Sequence, residues 1–338
     1  MPESAAQRLR RLLAGDRLTR AESAAFIGEL MDGSLDEISA AAALAILSMR
    51  GESVDEIVGA AEAMRSRMLP FTAASRQVLD IVGTGGDGAN TINLSTMAAL
   101  VVAASGVPVA KHGNRAASSS CGSADVLEAC GYRLDATPQR AAAMLDELGF
   151  TFLFAPRYHP AMRNAANVRR TLGVRTIFNV LGPLCNPAHA SLILVGVARP
   201  ESIESIGAVL RQLGVEAGAV MCSEGGIDEA IGDGVAQLYR FNAEGAWLES
   251  VDPHDFGIDV PLEALVERSV EGAARAFREV LGGVTCGRSE VVALNAALAF
   301  VIAGVEGEVA SALARARAIL ASGSALDLFE RAAAFSNG

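Results

Sequence analysis

Hydrophobic runs long enough to span a bilayer are missing from this 338-residue chain. The longest apolar stretches, Met97 to Ala110 and Val291 to Val305, are short and broken by Ser, Gly, Pro or Asn, so no membrane protein is expected. The N-terminal MPESAAQRLRRLLAG has no apolar core, so no secretory signal is expected either. Cysteine is sparse and unpatterned: Cys121, Cys130, Cys185, Cys222 and Cys286 are odd in number and form no CxxC, which speaks against a disulfide framework or zinc ribbon and suits a cytoplasmic protein. His112, His159, His189 and His254 lack the i, i+4 pairing of a metalloprotease helix. Positive charge is in deficit, with 28 basic against 39 acidic residues and a net charge of −11, which opposes a nucleic-acid-binding face. Lysine is almost absent: Lys111 is the only one.

What is present is a globular composition, 51% hydrophobic and 20% charged, with enough chain for a large core. The first seventy residues read as helices. Leu9, Leu12 and Leu13, then Ala25, Phe26 and Leu30, then Ala41, Leu44, Ala45 and Leu47 recur at helical spacing. Asp32 to Ser34 and Arg50-Gly51 interrupt them, and Ser53 with Glu56 forms a capping-box signature. Pro70 and the polar stretch Thr72 to Gln77 mark a boundary, which predicts a helical domain over 1–72 and an α/β domain over 73–338. Beyond it, VLDIV (78–82), VPVA (107–110), TFLFA (151–155), LILVGV (192–197) and AGAVM (217–221) alternate with helical patterns, predicting a largely parallel sheet. Residues 160–187 are expected to return as helices to the N-terminal bundle, with LGPLCNP (181–187) as a hinge or linker; Glu271 to Phe335 reads as helical again.

Four segments can carry chemistry. In DIVGTGGDGANTINLST (80–96) a strand enters a glycine turn, Gly83 to Gly88, and then a helix beginning near Asn93. Tight glycine turns expose consecutive N–H groups and a helix N-terminus adds positive potential, so the pair makes an anion cradle, to which Asn93, Ser95 and Thr96 add side-chain donors. It is neither a Walker A loop nor a dinucleotide fingerprint. KHGNRAASSSCGSADVLE (111–128) places Lys111, His112, Asn114, Arg115, Ser118, Ser119 and Ser123 at the end of a predicted strand, where open α/β sheets bind ligands. A lone lysine there suggests a site needing a compact ammonium for phosphate. Asp228-Glu229 is either a solvated pair or, beside phosphate cradles, a Mg²⁺ holder. Among Arg163, Arg169, Arg170 and Arg175, one is suited to grip a carboxylate, and the residues themselves do not say which; His159 reads as packed rather than catalytic.

Taken together, GTGGD (83–87), NLST (93–96), KHGNRA (111–116), CGSADVLE (121–128), VRRTLGVRTIFNVLGPLCNPA (168–188) and Asp228-Glu229 resemble the anthranilate phosphoribosyltransferase family in order and spacing along nearly the whole chain. The resemblance implies a small N-terminal helical domain plus a large α/β domain with a mostly parallel central sheet. It further implies a homodimer formed through the helical part, and transfer of the phosphoribosyl group of 5-phosphoribosyl-1-diphosphate (PRPP) to the amino group of anthranilate. Carried over by position, the PRPP contacts are Gly83, Gly86, Asp87, Thr91, Asn93, Leu94, Ser95, Thr96, Lys111, His112, Gly113, Asn114, Arg115, Ala116, Ala117, Ser118, Ser119 and Ser123. The anthranilate contacts are Gly83, Asn114 and Arg169, the Mg²⁺ ligands are Ser95, Asp228 and Glu229, and no residue is assigned as a catalytic base. Ser120 and Cys121 depart from the family pattern, which more often has a cation and then a serine there. Two other readings remain: a pyrimidine nucleoside phosphorylase-like enzyme of the same fold, and a non-enzymatic nucleic-acid-binding relative.

Overall fold

The computed structural model describes residues 4–74, 77–116 and 120–338. Four helices open the chain: α1 (Ala5–Leu13), α2 (Arg20–Met31), α3 (Glu37–Arg50) and α4 (Val54–Arg65). Their starts follow from the sequence. Thr19 with Glu22, and Ser53 with Glu56, close reciprocal capping boxes that satisfy otherwise orphaned amides. Glu56 is fully buried and also accepts from the amide of Leu18 at 2.8 Å and from Arg50, so one side chain ties α4 to the segment ahead of α2. Gly59 allows α2 and α4 to touch, because a Cβ there would run into the carbonyl of Arg20.

A seven-stranded sheet follows, with strands β1 (Leu79–Gly83), β2 (Val109–Gly113), β3 (Phe150–Phe154), β4 (Leu192–Gly196), β5 (Ala217–Ser223), β6 (Ala236–Asn242) and β7 (Gly245–Val251) in the order β3-β2-β1-β4-β5-β6-β7. The pairs from β3 across to β5 are parallel, and β5–β6 and β6–β7 are antiparallel. The five apolar runs predict the parallel part to within two or three residues. The hairpin β6–β7 was not anticipated: its strands mix polar and apolar residues, many of them partly or fully exposed, and it closes one edge of the sheet. A second difference matters more. β2 does not stop at Ala110 but carries Lys111, His112 and Gly113, in register with Phe152, Leu153 and Phe154.

Helices α5 (Leu94–Ala104), α6 (Ser123–Ala129) and α7 (Pro138–Leu148) lie between β1 and β3. The short α8 (Ala155–Tyr158) leads to α9 (Met162–Leu172) and α10 (Phe178–Leu184). As expected, these return to the N-terminal helices, α9 against α2 and α3 and α10 against α4. The hinge reading of LGPLCNP is corrected: Leu181 to Leu184 complete α10 with Pro183 inside it, and Asn186 is buried, donating to Asp80 at 2.7 Å and to the carbonyl of Ala110 at 2.8 Å. α11 (Ile203–Gln212) joins β4 to β5. A short turn, α12 (Leu262–Leu265), then leads to α13 (Val270–Leu281), α14 (Gly287–Ile302), α15 (Val309–Ala321) and α16 (Ser324–Asn337). The sheet separates two cores, one under α5 and the C-terminal helices and one shared by α11, α9, α10 and the N-terminal bundle. Among the described residues no helix is long and apolar enough to cross a membrane.

Candidate functional site

β1 is followed by a connection toward β2 on one side, while β4 pairs on its other side, so the crevice where the strand order reverses lies beyond the carboxyl ends of β1 and β4. The glycine turn leaves β1 there. Gly85, Gly86 and Gly88 take φ values of +64°, +78° and +78°, a region that a side chain would strain. The segment after β5 crosses the same strand ends. It does so because Gly83 and Gly196 lack side chains: a Cβ on the first would meet the carboxylate of Asp228 and one on the second its backbone. Buried Asn295 of α14 holds this segment by exchanging hydrogen bonds with the backbone of Ala230, at 3.1 and 2.8 Å.

The two acidic residues point into the cradle. Asp228 Oδ2 accepts from the amide of Gly85 at 2.7 Å. Glu229 accepts from the Thr91 hydroxyl at 2.8 Å and from the amide of Ser95, in the first turn of α5, at 3.0 Å. Lys111, only 2% exposed, donates to the carbonyl of Ile81 and to Ser95 Oγ, the latter at 3.3 Å. It therefore reaches the cradle from within β2, through the sheet, rather than from a loop. Burial lowers its pKa, against the pull of Asp80, Glu229 and Asp228. Burial, with Glu229 and Asp87 close by, raises the Asp228 carboxyl well above the usual carboxylate range, and burial pushes Glu229 up to about 7.

Such a pair fits a divalent cation, whose charge would relieve the crowding of buried carboxylates. Among the described residues no set of three or more acidic, His or Cys side chains is arranged as a complete metal cage. Two carboxylates beside a phosphate cradle is the donor set Mg²⁺ takes when it keeps waters and borrows phosphate oxygens.

A cavity of about 350 Å³ joins these groups to the wall formed by α9 and α10. Arg169 lines it, half-buried, with its guanidinium 5.3 Å from the Phe178 ring centroid and no carboxylate within ion-pair distance among the described residues. Burial lowers its pKa. Arg170 points to solvent and donates to Asn167 at 2.8 Å; Arg163 is exposed and lies outside the cavity lining. The exposed Asn114 borders the cavity, its Oδ1 accepting from the amide of Arg115. Thr91, Asn93, Ser95, Thr96, Gly113 and Ala116 line it as well, as do Gly83, Gly86 and Asp87.

Among the other expected contacts, His112, Arg115 and Ser123 line the cavity with their side chains engaged by protein groups, and Leu94 does not line it. Leu94 is wholly in the core and does not line the cavity. His112 lines it, but its ring faces away from Lys111, with Nδ1 at 3.1 Å from the carbonyl of Gly182 and the ring 5.1 Å from that of His159. Arg115 is engaged by Asp125 at 3.0 Å and Glu128 at 2.8 Å. Ser123 donates to the carbonyl of Asn114 at 3.3 Å. Ala117, Ser118 and Ser119 lie outside the described residues. Ser120, where a cation was expected from the family pattern, donates through its hydroxyl to the carbonyl of Glu267 and through its amide to Asn90. Asp80 and Asn186, beneath the site, were not picked out from sequence, and neither was Asn295, whose signal is a lone amide in the apolar run VVALNAALAFVI.

Comparisons with known proteins agree with this layout. Residues 6–68 match the helical bundle domain of a glycosyl transferase family, and residues 75–326 match its a/b domain. Anthranilate phosphoribosyltransferase of Thermomicrobium roseum is 44% identical over 97% of this chain and 96% of its own. The chain belongs to the anthranilate phosphoribosyltransferase family. The crystal structure of the enzyme from Thermus thermophilus, 44% identical, superposes with a TM-score of 0.92 over 98% of this chain and 99% of that one. The Saccharomyces cerevisiae anthranilate phosphoribosyltransferase in complex with PRPP and Mg, 23% identical, has the same fold, with a TM-score of 0.90 over 98% of both chains.

Proposed function

We propose that the protein transfers the phosphoribosyl group of PRPP to the amino group of anthranilate, giving N-(5-phosphoribosyl)anthranilate and diphosphate in tryptophan biosynthesis. The observation that carries this reading is one cavity shared by an anion cradle, a buried acidic pair and an arginine with no carboxylate partner among the described residues. The bond from the anomeric carbon to diphosphate breaks, the amine nitrogen bonds to that carbon, and the amine loses a proton. An arylamine is neutral at pH 7, so no strong base has to act before attack.

The residues divide the work. The glycine-turn amides from Gly83 to Asp87, the start of α5 from Asn93 to Thr96, Lys111 and the segment to Ser123 receive PRPP, with Thr91 at the rim. Arg169 and Asn114, beside Gly83, orient anthranilate so that its amine faces the ribosyl carbon. Asp228, Glu229 and Ser95 would hold Mg²⁺, which supplies charge compensation to the departing diphosphate. The yeast relative's complex with PRPP and Mg supports that assignment in kind. The proposal includes a helical domain over 1–72 joined by the helices within 160–187, an α/β domain over 73–338, a homodimer through the helical part, and a cytoplasmic location.

The test is loss of anthranilate fluorescence in the presence of PRPP and Mg²⁺, run beside phosphate-dependent nucleoside cleavage and DNA retention at low salt. Activity in the first alone is expected. Nucleoside cleavage or DNA retention without it would overturn the proposal. Sedimentation checks the dimer.

A further inference from the structure

Arg175 is the one of the four arginines in its segment that reaches the glycine turn, and it does so from behind. It sits between α9 and α10, just past Gly173, and its backbone carbonyl accepts from the Ser48 hydroxyl of α3 at 2.7 Å. Its Nη1 donates to the carbonyls of both Gly85, at 2.9 Å, and Gly86, at 3.3 Å. Gly86 has to be glycine for this approach: a Cβ there would collide with Nη1. Arg175 does not line the main cavity. It borders a separate crevice on the other side of the turn, with Thr84, Thr176 and Arg199.

We propose that Arg175 is a positioning residue that aims the glycine-turn amides at the diphosphate and anchors them to the helical unit; this rests on the function proposed above. In a trans peptide the C=O and N–H point in opposite directions. Holding the carbonyls of Gly85 and Gly86 on the Arg175 side therefore turns the amides of Gly86 and Asp87 to the opposite side, and both residues line the cavity. No acidic side chain forms an ion pair with Arg175 among the described residues, so its charge serves the two carbonyls. The same stretch of chain carries Arg169 six residues earlier, so the anchor moves with the wall that receives the aromatic acid.

The test uses full-length protein and two variants, Arg175→Met, which keeps an unbranched stem without the charge, and Arg175→Lys. Both carbonyls are held by a single nitrogen, so lysine should serve where methionine cannot. In Arg175→Met the KM for PRPP, and the Kd for PRPP with Mg²⁺ by calorimetry, should rise about tenfold, the loss of one charge-assisted hydrogen-bonding group. The KM for anthranilate and the melting temperature should change little, and Arg175→Lys should recover most of the PRPP affinity. Wild-type PRPP affinity in Arg175→Met, an equal rise in the KM for anthranilate, or a lysine variant as impaired as the methionine one would each overturn the proposal. Wild-type protein that turns over while Arg175→Met matches it removes this inference alone. Wild-type protein that binds no PRPP removes the functional reading with it.

Discussion

The two walls of the cavity are built on opposite plans. On the cradle wall many of the polar groups already have protein partners: the amide of Gly85 is taken by Asp228, Thr91 and the amide of Ser95 by Glu229, and Ser95 Oγ and the carbonyl of Ile81 by Lys111. On the α9 wall, among the described residues, Arg169 has the Phe178 ring and no ion-pair partner. The carboxylates on the cradle wall occupy donors that a phosphate would use, so binding there is an exchange of anions that needs charge compensation. Binding at Arg169 fills a vacant hydrogen-bonding position. Changes to the first wall should therefore cost turnover, and changes to the second should cost affinity for one substrate.

The largest effect is expected from Asp228→Asn combined with Glu229→Gln. Each amide keeps an oxygen to accept from Gly85 and Ser95, and two crowded buried charges disappear, so the fold should survive. Losing several kcal/mol of charge compensation for the leaving diphosphate means a rate fall on the order of a thousandfold. Near-normal turnover at saturating Mg²⁺ and PRPP would remove the pair from the site.

Lys111→Arg should come next. The ammonium is enclosed within the sheet and packed between Ile81 and Ser95, so a larger planar group has to displace its neighbours, at a cost of about 1–3 kcal/mol. Thermal unfolding should show the loss of stability, and steady-state kinetics a higher KM for PRPP, a lower kcat, or both. If the variant is indistinguishable from wild type in both measurements, the single lysine of this arginine-rich chain has no special role.

The α9 wall is tested by Arg169→Ala against Arg170→Ala. A charge-assisted hydrogen bond is worth about 1.5–3 kcal/mol, so kcat/KM for anthranilate should fall roughly ten- to a hundredfold in the first variant, with the KM for PRPP nearly unchanged. Arg170 is the control because it faces solvent. An anthranilate defect confined to Arg170→Ala would mean that the aromatic site has been placed on the wrong side of α9.

How much of this was legible in the sequence follows the same division. The cradle was readable because its parts are local: a strand, a glycine turn with positive φ, and a helix opening at Asn93 are consecutive in the chain. The C-terminal helices and the parallel strands were readable from periodicity. Lys111 was read as lying just past the end of the strand VPVA; in the fold β2 continues through it, and Asp80 on β1 with the adjacent Asp228 and Glu229 supply opposite charge from two separate segments. Pro183 suggested a hinge where the helix continues. The roles of Arg169 and Arg175 could not be separated by spacing, because what each guanidinium meets is set by where α9 folds back against α2 and α3. The hairpin β6–β7 gave too weak an apolar signal, being an edge with one exposed face.

The last comparison, whose effect shows only as a difference in slope, separates the two faces of β2 itself. Lys111 faces acidic groups, whereas the next residue, His112, turns its ring to Gly182 and His159, where among the described residues no carboxylate is paired with either ring. Burial pushes His112 down to about 3 and His159 down to about 4. A histidine held neutral in the fold but ordinary in the unfolded chain gives stability that is full above pH 6.5 and is lost as the pH falls toward its folded pKa, because the unfolded state binds more protons in that window. For His159 the window is pH 6.5 to about 4, and the slope is at most about 1.4 kcal/mol per pH unit. Urea unfolding of wild type and His159→Gln between pH 7 and 4.5 should show a shallower fall for the variant, whatever its absolute stability, while His112 keeps some slope in both. Parallel curves would mean that His159 is already protonated, or paired, inside the fold, and that the face of β2 toward α10 tolerates charge as the Lys111 face does.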